Sequence, residues 1–247
     1  MLKLIGLGLE MQDLSIKAVQ EIITSQRLFL EEYTSHGINK QELELFFNRL
    51  IESADRDFVE SGKILDNAKD EDVALLILGD PLIATTHTDL LLRCKEHGIR
   101  AKVVHNNSIY NSITDTGLQI YKFGKTTTIP YWETNYEPTS FLDVIEQNHG
   151  IEAHTLCLLD IKKDQDKYMQ PQDAIAVLEN AQQKTGKNIF DDKTKIIVCS
   201  RMGTEDQSIK YLSIKDAKKT DFGGPLHMLI FPATLHEMEL EFLTQFS

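Results

Sequence analysis

Residues 73–81 read VALLILGDP, and this stretch decides the fold class. The apolar run Val73–Leu78 has strand length and no polar alternation, which is typical of a strand buried on both faces of a parallel sheet. A helical pattern follows from about Thr86 to His97, and Gly98 stands where a glycine commonly ends a helix. A strand at Ala101–His105 completes a β–α–β order, which predicts a mostly parallel sheet.

The same alternation extends toward the N-terminus. Leu2–Ile5 predicts a strand, and Ser15–Ile23 predicts a helix. Ile38–Leu65 predicts a longer helical region. The periodicity places the following apolar residues on the inner faces of these two helical segments: Ile16, Val19, Ile22 and Ile23 in the first, and Leu43, Phe46, Phe47 and Leu50 in the second.

The second half of the chain has its own strands and helices. The predicted strands are Thr155–Leu159, Lys195–Cys199 and Leu226–Phe231, and the predicted helices are Gln172–Lys184 and about Thr234–Phe246. Polar residues cluster near Ile109–Thr116, where we place a domain boundary. The sequence thus predicts an α/β protein with an N-terminal lobe, residues 1–112, and a C-terminal lobe, residues 113–247.

Composition excludes several classes of protein. The 247 residues carry a net charge of −12, whereas a nucleic-acid groove needs a basic stripe, so direct nucleic-acid binding is not expected. No apolar run reaches the ~20 residues that cross a bilayer, and the N-terminus lacks a signal-peptide pattern. Three widely spaced cysteines without a CxxC pair indicate reduced thiols in a cytoplasmic protein.

Two glycines follow the first predicted strand. Gly6 and Gly8 match the first two positions of the dinucleotide motif GxGxxG, but Met11 occupies the third. No acidic residue is recognisable at the end of a second strand about 20 residues further on. A P-loop and a GxSxG elbow are also absent, so neither a P-loop ATPase nor an α/β-hydrolase is predicted.

Polar loops follow two further strands. Gly79–Pro81 comes directly after the most apolar strand, and His105–Ile109 follows the next one. Asp80 could hold a cationic ligand group, or it could close an Asx-type turn on nearby backbone N–H groups. Since ligands gather at the carboxyl ends of strands in open α/β sheets, three such loops favour a shared pocket.

The histidines do not form a metal-binding pattern. His87 is interpreted as a capping or turn residue, and His154 and His227 as hydrogen-bonded, partly buried residues of apolar strands. No HExxH spacing occurs, so no catalytic metal is predicted.

Together, six segments resemble a known family. They are MLKLIGLGL (1–9), LGDPLIATTHTDL (78–90), HNNSIYNSI (105–113), HTLCLLDIK (154–162), SRMG (200–203) and GGPLHMLIF (223–231). In this order they resemble the diphthine synthases, the methyltransferases of diphthamide biosynthesis in the tetrapyrrole methylase superfamily. The resemblance extends over nearly the whole chain, from residue 1 to about 245.

The resemblance implies two α/β lobes with S-adenosylmethionine held in the cleft between them, and a homodimer. It implies methylation of the 3-amino-3-carboxypropyl histidine of translation elongation factor 2, with S-adenosylhomocysteine as the product. Three transfers go to the amine, and a fourth goes to the carboxylate in eukaryotic-type enzymes. The implied cofactor contacts are Leu9, Asp80, Ile83, Ser108, Ile109, Leu159, Met202 and His227; for Met202 the contact is expected through the backbone. The resemblance identifies no general base.

Two alternatives stay open at the level of sequence. One is a methyltransferase of precorrin or uroporphyrinogen, although the ATTH segment and the HxxSI loop count against it. The other is a non-catalytic adaptor that binds S-adenosylmethionine and the elongation factor, because residues that position a ligand serve binding and catalysis alike.

Overall fold

Two α/β units, Met1–Ser112 and Ile113–Ser247, make up the chain. The structure is a computed structural model, and it describes residues 1–33 and 37–247 apart from the side chain of Asp164.

The first unit is built on a parallel sheet. Its strands are β1 (Leu2–Gly6), β2 (Arg27–Glu31), β3 (Glu52–Ala54), β4 (Val73–Ile77) and β5 (Ala101–Val104). Its helices are α1 (Ile16–Thr24), α2 (Lys40–Phe47), α3 (Arg56–Glu60), α4 (Lys63–Ala68), α5 (Thr88–Glu96) and α6 (Ile109–Ser112), with a 3-10 turn at Met11–Asp13. The strand order is β3-β2-β4-β1-β5, and every pairing is parallel.

The central strands explain why this sheet is parallel. All five residues of β1 and all five of β4 are buried, and helices pack against the sheet. Burial on both faces favours apolar sequence, and the one charged residue of these two strands, Lys3, has its Nζ 3.1 Å from Glu21 Oε2. The helix after β4 ends as predicted, because Gly98 adopts a left-handed φ of +67° and the Ile99 N–H donates to the Cys94 carbonyl at 2.8 Å. The prediction of a mostly parallel sheet is therefore confirmed for this unit.

The long helical region predicted over Ile38–Leu65 is wrong. Three short helices and the strand β3 occupy it, because Asn48 takes a left-handed φ of +47° and ends α2. Arg49 then turns back and donates to carbonyls at the end of α1, at 3.1 Å from Ile22 O and 2.7 Å from Ser25 O. This tertiary contact competes with helix continuation.

The inner faces predicted for these helices are also partly wrong. Leu43 and Ile22 are buried, and Val19 and Phe47 are partly buried. The other four side chains are largely exposed to solvent: Ile16, Ile23, Phe46 and Leu50. Because α1 and α2 bury only a narrow stripe, the wider apolar periodicity overstates the buried surface.

The second unit contains a mixed sheet. Its strands are β6 (Thr127–Ile129), β7 (Thr155–Leu159), β8 (Ile161–Lys162), β9 (Lys167–Tyr168), β10 (Lys195–Ser200), β11 (Ser208–Ser213) and β12 (His227–Phe231). Its helices are α7 (Ser140–Gly150), α8 (Pro171–Thr185), α9 (Ile214–Ala217) and α10 (Glu237–Thr244), with 3-10 turns at Ile113–Thr116, Ile120–Lys122 and Lys163–Gln165. The main sheet has the order β11-β10-β12-β7-β6 and is antiparallel except for the pair β6–β7, while β8 and β9 form a separate ribbon.

A buried polar cluster attaches the C-terminal helix to this unit. The Glu239 carboxylate at the start of α10 accepts hydrogen bonds from the Gln119 and His236 N–H groups at 3.0 and 2.8 Å. Lys122 Nζ and His154 Nε2 lie 2.5 and 3.2 Å from it. His154 is buried and hydrogen-bonded, which confirms the interpretation made from sequence.

None of the helices in the described ranges combines the length and the apolar character that crossing a bilayer requires.

Candidate functional site

Three strand ends meet at one edge of the first sheet. β4, β1 and β5 are neighbours, so the turns that follow them lie side by side. Gly8 and Gly79 form an isolated antiparallel bridge, in which the Gly79 N–H donates to Gly8 O at 2.7 Å and the Gly8 N–H donates to Gly79 O at 3.3 Å. The loops therefore lie together, while the shared pocket expected from them stays a prediction.

The glycines are required by close packing of backbone. Gly8 has φ +82°, and a Cβ there would lie 2.1 Å from the Cβ of Asp13. A Cβ on Gly6 would lie 2.6 Å from the carbonyl oxygen of Gly79. The two glycines thus serve the approach of one turn to another, which answers why GxG occurs without the rest of a dinucleotide motif.

Three of the first-unit residues implied by the resemblance, Leu9, Asp80 and Ser108, lie beside Gly79. A Cβ built on Gly79 would lie 4.0 Å from Leu9 Cδ2 and 4.0 Å from Ser108 Cα. Asp80 follows directly, and its carbonyl accepts from the Ile83 N–H at 3.3 Å. Leu9 and Ile83 are partly exposed, whereas Ser108 is buried.

Asp80 is buried and closes the Asx-type turn considered from sequence. Its Oδ1 accepts from the Leu82 N–H at 3.0 Å, and its Oδ2 accepts from the Asn106 N–H at 3.2 Å and lies 2.8 Å from His105 Nδ1. Only 4% of its surface is exposed. The carboxylate therefore joins the loop after β4 to the loop after β5.

Asn106 lies in the loop after β5 that the sequence predicted as part of the site, but no partner was predicted for it. Its side-chain amide donates to Gly6 O at 3.1 Å and to Asp13 O at 3.0 Å, while its Oδ1 accepts from the Asn107 N–H. Asp13 in turn accepts from the Leu9 N–H at 2.8 Å. Asn106 therefore holds the turn after β1 against the loop after β5. An asparagine directly after a strand is a signal of this role, but it does not reveal the partners.

Ser108 and Ile109 begin the short helix α6. The Ser108 N–H donates to Asn111 Oδ1 at 3.2 Å, and Ser108 Oγ accepts from the Tyr110 N–H at 3.3 Å. These bonds keep the backbone of both residues in a fixed turn beside Gly79. Ile109 is partly exposed, so its side chain can contact a ligand.

His87 lies in a turn at the N-cap position of α5, as one of the two roles expected of it requires, but its side chain does not cap the helix. It is 1% exposed. Its Nδ1 donates to Pro81 O at 2.9 Å, because a carbonyl oxygen can only accept. Its Nε2 lies 3.3 Å from Glu31 Oε2 and 3.2 Å from Tyr33 Oη. His87 thus links the loop after β4, through Pro81, to Glu31 and Tyr33 at the end of β2.

Glu31 corrects a second expectation. It is the last residue of β2 and fully buried, so an acidic residue does end a second strand. The strand RLFLE was not recognised because its ends are charged. Burial raises the pKa of the nearby Tyr33 phenol, which keeps Tyr33 neutral.

The remaining implied residues lie at one edge of the second sheet. Leu159 ends β7, His227 begins β12, and Met202 follows the end of β10. The register pairs Met228 with Leu158 and Ser200 with His227, so these three termini are adjacent. Leu159 and Met202 are 7% and 4% exposed, and such burial restricts their side chains as ligand contacts.

His227 has a buried nitrogen without a hydrogen bond. Its Nδ1 lies 2.9 Å from Ser200 Oγ, while Nε2 has no hydrogen-bond partner among the described residues. Burial, and secondly the Arg201 guanidinium, lower the pKa of His227 to about 4, so the ring is neutral at pH 7. The backbone of Gly223 acts in the opposite direction and raises the pKa of His227. It nevertheless makes no hydrogen bond of normal geometry with Nε2. A buried polar atom of this kind points to a ligand.

Neither metal ligation nor thiol chemistry is evident in the described parts of the chain. They contain no group of three or more His, Cys, Asp or Glu residues arranged to hold a metal ion. The three cysteines are buried, and burial raises the pKa of each thiol, to about 12 for Cys199.

Comparison with known proteins identifies the family. A model of the family described as Tetrapyrrole (Corrin/Porphyrin) Methylases matches residues 1–218. The chain is 39% identical to a diphthine methyl ester synthase from Saccharomyces cerevisiae, covering 100% of this chain and 89% of that protein. It is 38% identical to a diphthine synthase from Methanococcus vannielii, covering 98% and 97%.

A solved structure described as diphthine synthase matches with a TM-score of 0.90 and 30% identity, covering 100% of this chain and 95% of that one. The agreement extends over both units and includes the mixed α/β architecture. The chain therefore belongs to the tetrapyrrole methylase family and, within it, to the diphthine synthases, which are methyltransferases of diphthamide biosynthesis.

Proposed function

We propose that this chain transfers methyl groups from S-adenosylmethionine to the 3-amino-3-carboxypropyl histidine of translation elongation factor 2. The observation that carries the proposal is the convergence of Leu9, Gly79 and Ser108 around a bridge between two glycine turns. Glycine-containing turns at the carboxyl ends of parallel strands are typical of a site for a flat, polar nucleoside.

The residues present fit this methyl donor in both units. In the first unit, Leu9, Ile83 and Ile109 offer partly exposed side chains on the turns that follow the strands. The N–H groups of Leu9, Ile83 and Ser108 are bonded within the chain, so these turns would hold the donor by their shape. In the second, His227 has an unpaired buried nitrogen that a purine could satisfy. The cleft between the lobes that the resemblance implies stays a prediction.

We assign Asp80 a role in holding the site, with its charge beside the cationic end of the donor. Both carboxylate oxygens already accept hydrogen bonds within the chain. Its effect on the sulfonium is therefore electrostatic, through a buried negative charge, and mechanical, through the two loops that it joins.

The chemistry needs little from the protein beyond alignment. When bound, S-adenosylmethionine supplies a methyl group on a sulfonium, a good leaving group. The chain's own residues bind and orient both substrates and exclude water, which agrees with a site rich in backbone contacts and poor in reactive side chains. The acceptor amine must be deprotonated before each attack, whereas a carboxylate is already ionised at pH 7.

His87 is not assigned the role of base. Its Nδ1 proton is engaged by Pro81 O, its Nε2 faces Glu31 and Tyr33, and its ring is 1% exposed. We assign it to anchoring the loop that carries Asp80 and Ile83, and we propose that solvent takes the amine protons.

The test is turnover on the proposed substrate. The purified chain is incubated with S-adenosylmethionine and elongation factor 2 bearing the 3-amino-3-carboxypropyl group, and the histidine peptide is weighed by mass spectrometry. We expect three added methyl groups on the amine and a fourth, base-labile one on the carboxylate, as in the relatives named diphthine methyl ester synthase.

Each other result contradicts a defined part of the proposal. Three methyl groups alone would remove the ester step. Methylation of uroporphyrinogen but not of the factor would replace the substrate. Tight binding of donor and factor without transfer would make the chain an adaptor.

Two further assignments accompany this proposal. We propose that the chain works in the cytoplasm, where elongation factor 2 is found, and that it contacts this protein rather than nucleic acid. We also propose that it forms a homodimer, as the resemblance implies.

A further inference from the structure

Ser200 is a buried hydroxyl with one partner. It ends β10, is fully buried, and pairs in register with His227 on β12. Its Oγ lies 2.9 Å from His227 Nδ1, and this is its only side-chain hydrogen bond among the described residues. The hydrogen bond between two buried groups has a preferred direction, because each buried donor or acceptor left without a partner is unfavourable.

The direction follows from counting donors and acceptors. A serine hydroxyl carries one proton, and a neutral imidazole carries one proton on either nitrogen. If Nδ1 held the ring proton and donated to Ser200, two buried groups would lack a partner: the hydroxyl proton and the Nε2 lone pair. If Ser200 donates to Nδ1, the hydroxyl proton is satisfied, and the ring proton on Nε2 is the one buried donor left for a ligand.

We propose that Ser200 is a positioning residue that fixes His227 as the Nε2–H tautomer, so that His227 offers a hydrogen-bond donor to an acceptor nitrogen of the methyl donor's purine. This rests on the proposed function, in which His227 contacts S-adenosylmethionine. Ser200 acts only through His227 and is not a catalytic residue.

The surroundings of Nε2 select the class of acceptor. Phe222 packs edge-on with its ring centroid 6.5 Å from that of His227, and Met202 on the neighbouring strand end is buried. Arg201 is engaged elsewhere, with the carbonyls of Phe222 and Gly224 at 2.9 and 2.6 Å. Because the ring is neutral and the Arg201 guanidinium is engaged by these carbonyls, a neutral acceptor such as a heterocyclic ring nitrogen matches the Nε2–H donor without burying an unpaired charge.

The first experiment reads the tautomer in the free protein. The chain is labelled with ¹⁵N-histidine, and the ring nitrogens of His227 are assigned by comparison with His227→Gln. We expect Nε2 protonated and Nδ1 unprotonated at pH 7. In Ser200→Ala both tautomers become populated, and in Ser200→Thr, which keeps a hydroxyl, the Nε2–H form returns. A proton on Nδ1 in the wild-type chain, or an unchanged tautomer in Ser200→Ala, overturns the inference.

The second experiment reads the acceptor. S-adenosylhomocysteine and its analogues with CH in place of N1, N3 or N7 are titrated by calorimetry. One analogue is expected to bind the wild-type chain about tenfold more weakly than the parent, and this deficit shrinks to about threefold or less in Ser200→Ala. Equal binding of all three analogues to the wild-type chain overturns the purine contact.

The two experiments separate this inference from the proposed function. If S-adenosylhomocysteine binds and the proton is on Nδ1, the inference fails and the proposed function stands. If the proton is on Nε2 and the wild-type chain does not bind S-adenosylhomocysteine, the proposed function fails and the tautomer assignment stands.

Discussion

At the scale of single residues, buried polar groups in this chain act mainly by holding backbone in place. Asp80 and Asn106 bond to main-chain atoms distant in sequence, and His87 bonds to the Pro81 carbonyl within the loop after β4. Such groups are costly to bury and are retained where their partners must not move. The site is thus specified by few side chains that do not themselves need to touch the reacting atoms.

Replacing Asp80 by Asn should weaken donor binding. The amide keeps the size of the carboxylate but loses its charge, and it cannot accept at both the Leu82 and Asn106 N–H groups. We expect S-adenosylhomocysteine to bind about tenfold more weakly in calorimetry. Asp89→Asn is the matched control, because Asp89 is exposed on α5 and pairs with Arg93 at 2.7 Å. Equal affinity in the two variants would remove Asp80 from the site.

Glu239 should make the second unit sensitive to acid. Burial alone would raise its pKa, but Lys122, the Gln119 and His236 N–H groups and His154 outweigh burial and lower the pKa to about 2. A carboxyl with a lowered folded-state pKa stabilises the fold fully above its ordinary value of 4.5, and the contribution is lost as pH falls toward 2.

The corresponding variant is Glu239→Gln. Its amide cannot accept from every donor around it and leaves Lys122 without its charge partner, so the free energy of unfolding should fall by about 3 kcal/mol at pH 7. Urea denaturation at several pH values is the measurement. The gap between wild type and variant should narrow between pH 4.5 and the lowest pH at which the wild type folds; a constant gap would show that Glu239 does not titrate in this way.

At the scale of elements, turns decide the site more than helices or strands do. Gly8→Ala adds a Cβ at a φ of +82° and 2.1 Å from Asp13 Cβ. We expect a loss of about 3 kcal/mol or more in the free energy of unfolding, together with loss of donor binding. Gly98→Ala is the control, since Gly98 has φ +67° but open space around it, and its cost should be about 1–2 kcal/mol with binding intact. Similar losses in both variants would mean that the approach of the turns is unimportant.

The elements that sequence predicted well share one property. The strands Val73–Ile77 and Thr155–Leu159 are continuous apolar runs, and the helix Pro171–Thr185 has apolar residues at helical spacing; both patterns are visible in neighbouring residues alone. The segment 38–65 was mispredicted because contacts distant in sequence decide it, notably Arg49 on the carbonyls of α1. Local pattern carries no information about such a contact.

The same limit applies to the site. Glycine turns and polar strand ends identified the edge of the first sheet, because parallel strands bring their carboxyl ends together. The contacts of Asn106 and Ser200 were not predicted, since their partners, Gly6 and His227, are 100 and 27 residues away. The resemblance supplied the positions that are proposed as ligand contacts, and the structure shows which atoms hold these positions in place.

At the scale of the whole molecule, the exposed apolar side chains of the first unit favour association. Ile16 on α1, Leu45 on α2 and Leu50 just beyond it are 80%, 82% and 87% exposed. A charge of −12 opposes the approach of two copies, so an association that persists must bury apolar surface. We therefore expect the proposed homodimer to strengthen, not weaken, as salt screens the charge.

Light scattering after gel filtration tests this expectation. The mass should be twice the 28.2 kDa of one chain at 0.15 M salt, with the dimer persisting to lower protein concentration at 0.5 M. Leu45→Lys together with Leu50→Lys removes apolar surface from the chain and adds positive charge to it. The loss of apolar surface weakens the dimer at both salt concentrations, whereas the effect of the added charge is screened at 0.5 M. Comparing the dimer at the two salt concentrations therefore separates the two effects. A single-chain mass at micromolar concentration in both salts would contradict the homodimer. A dimer that dissociates at high salt would show instead that ion pairs hold the two copies together.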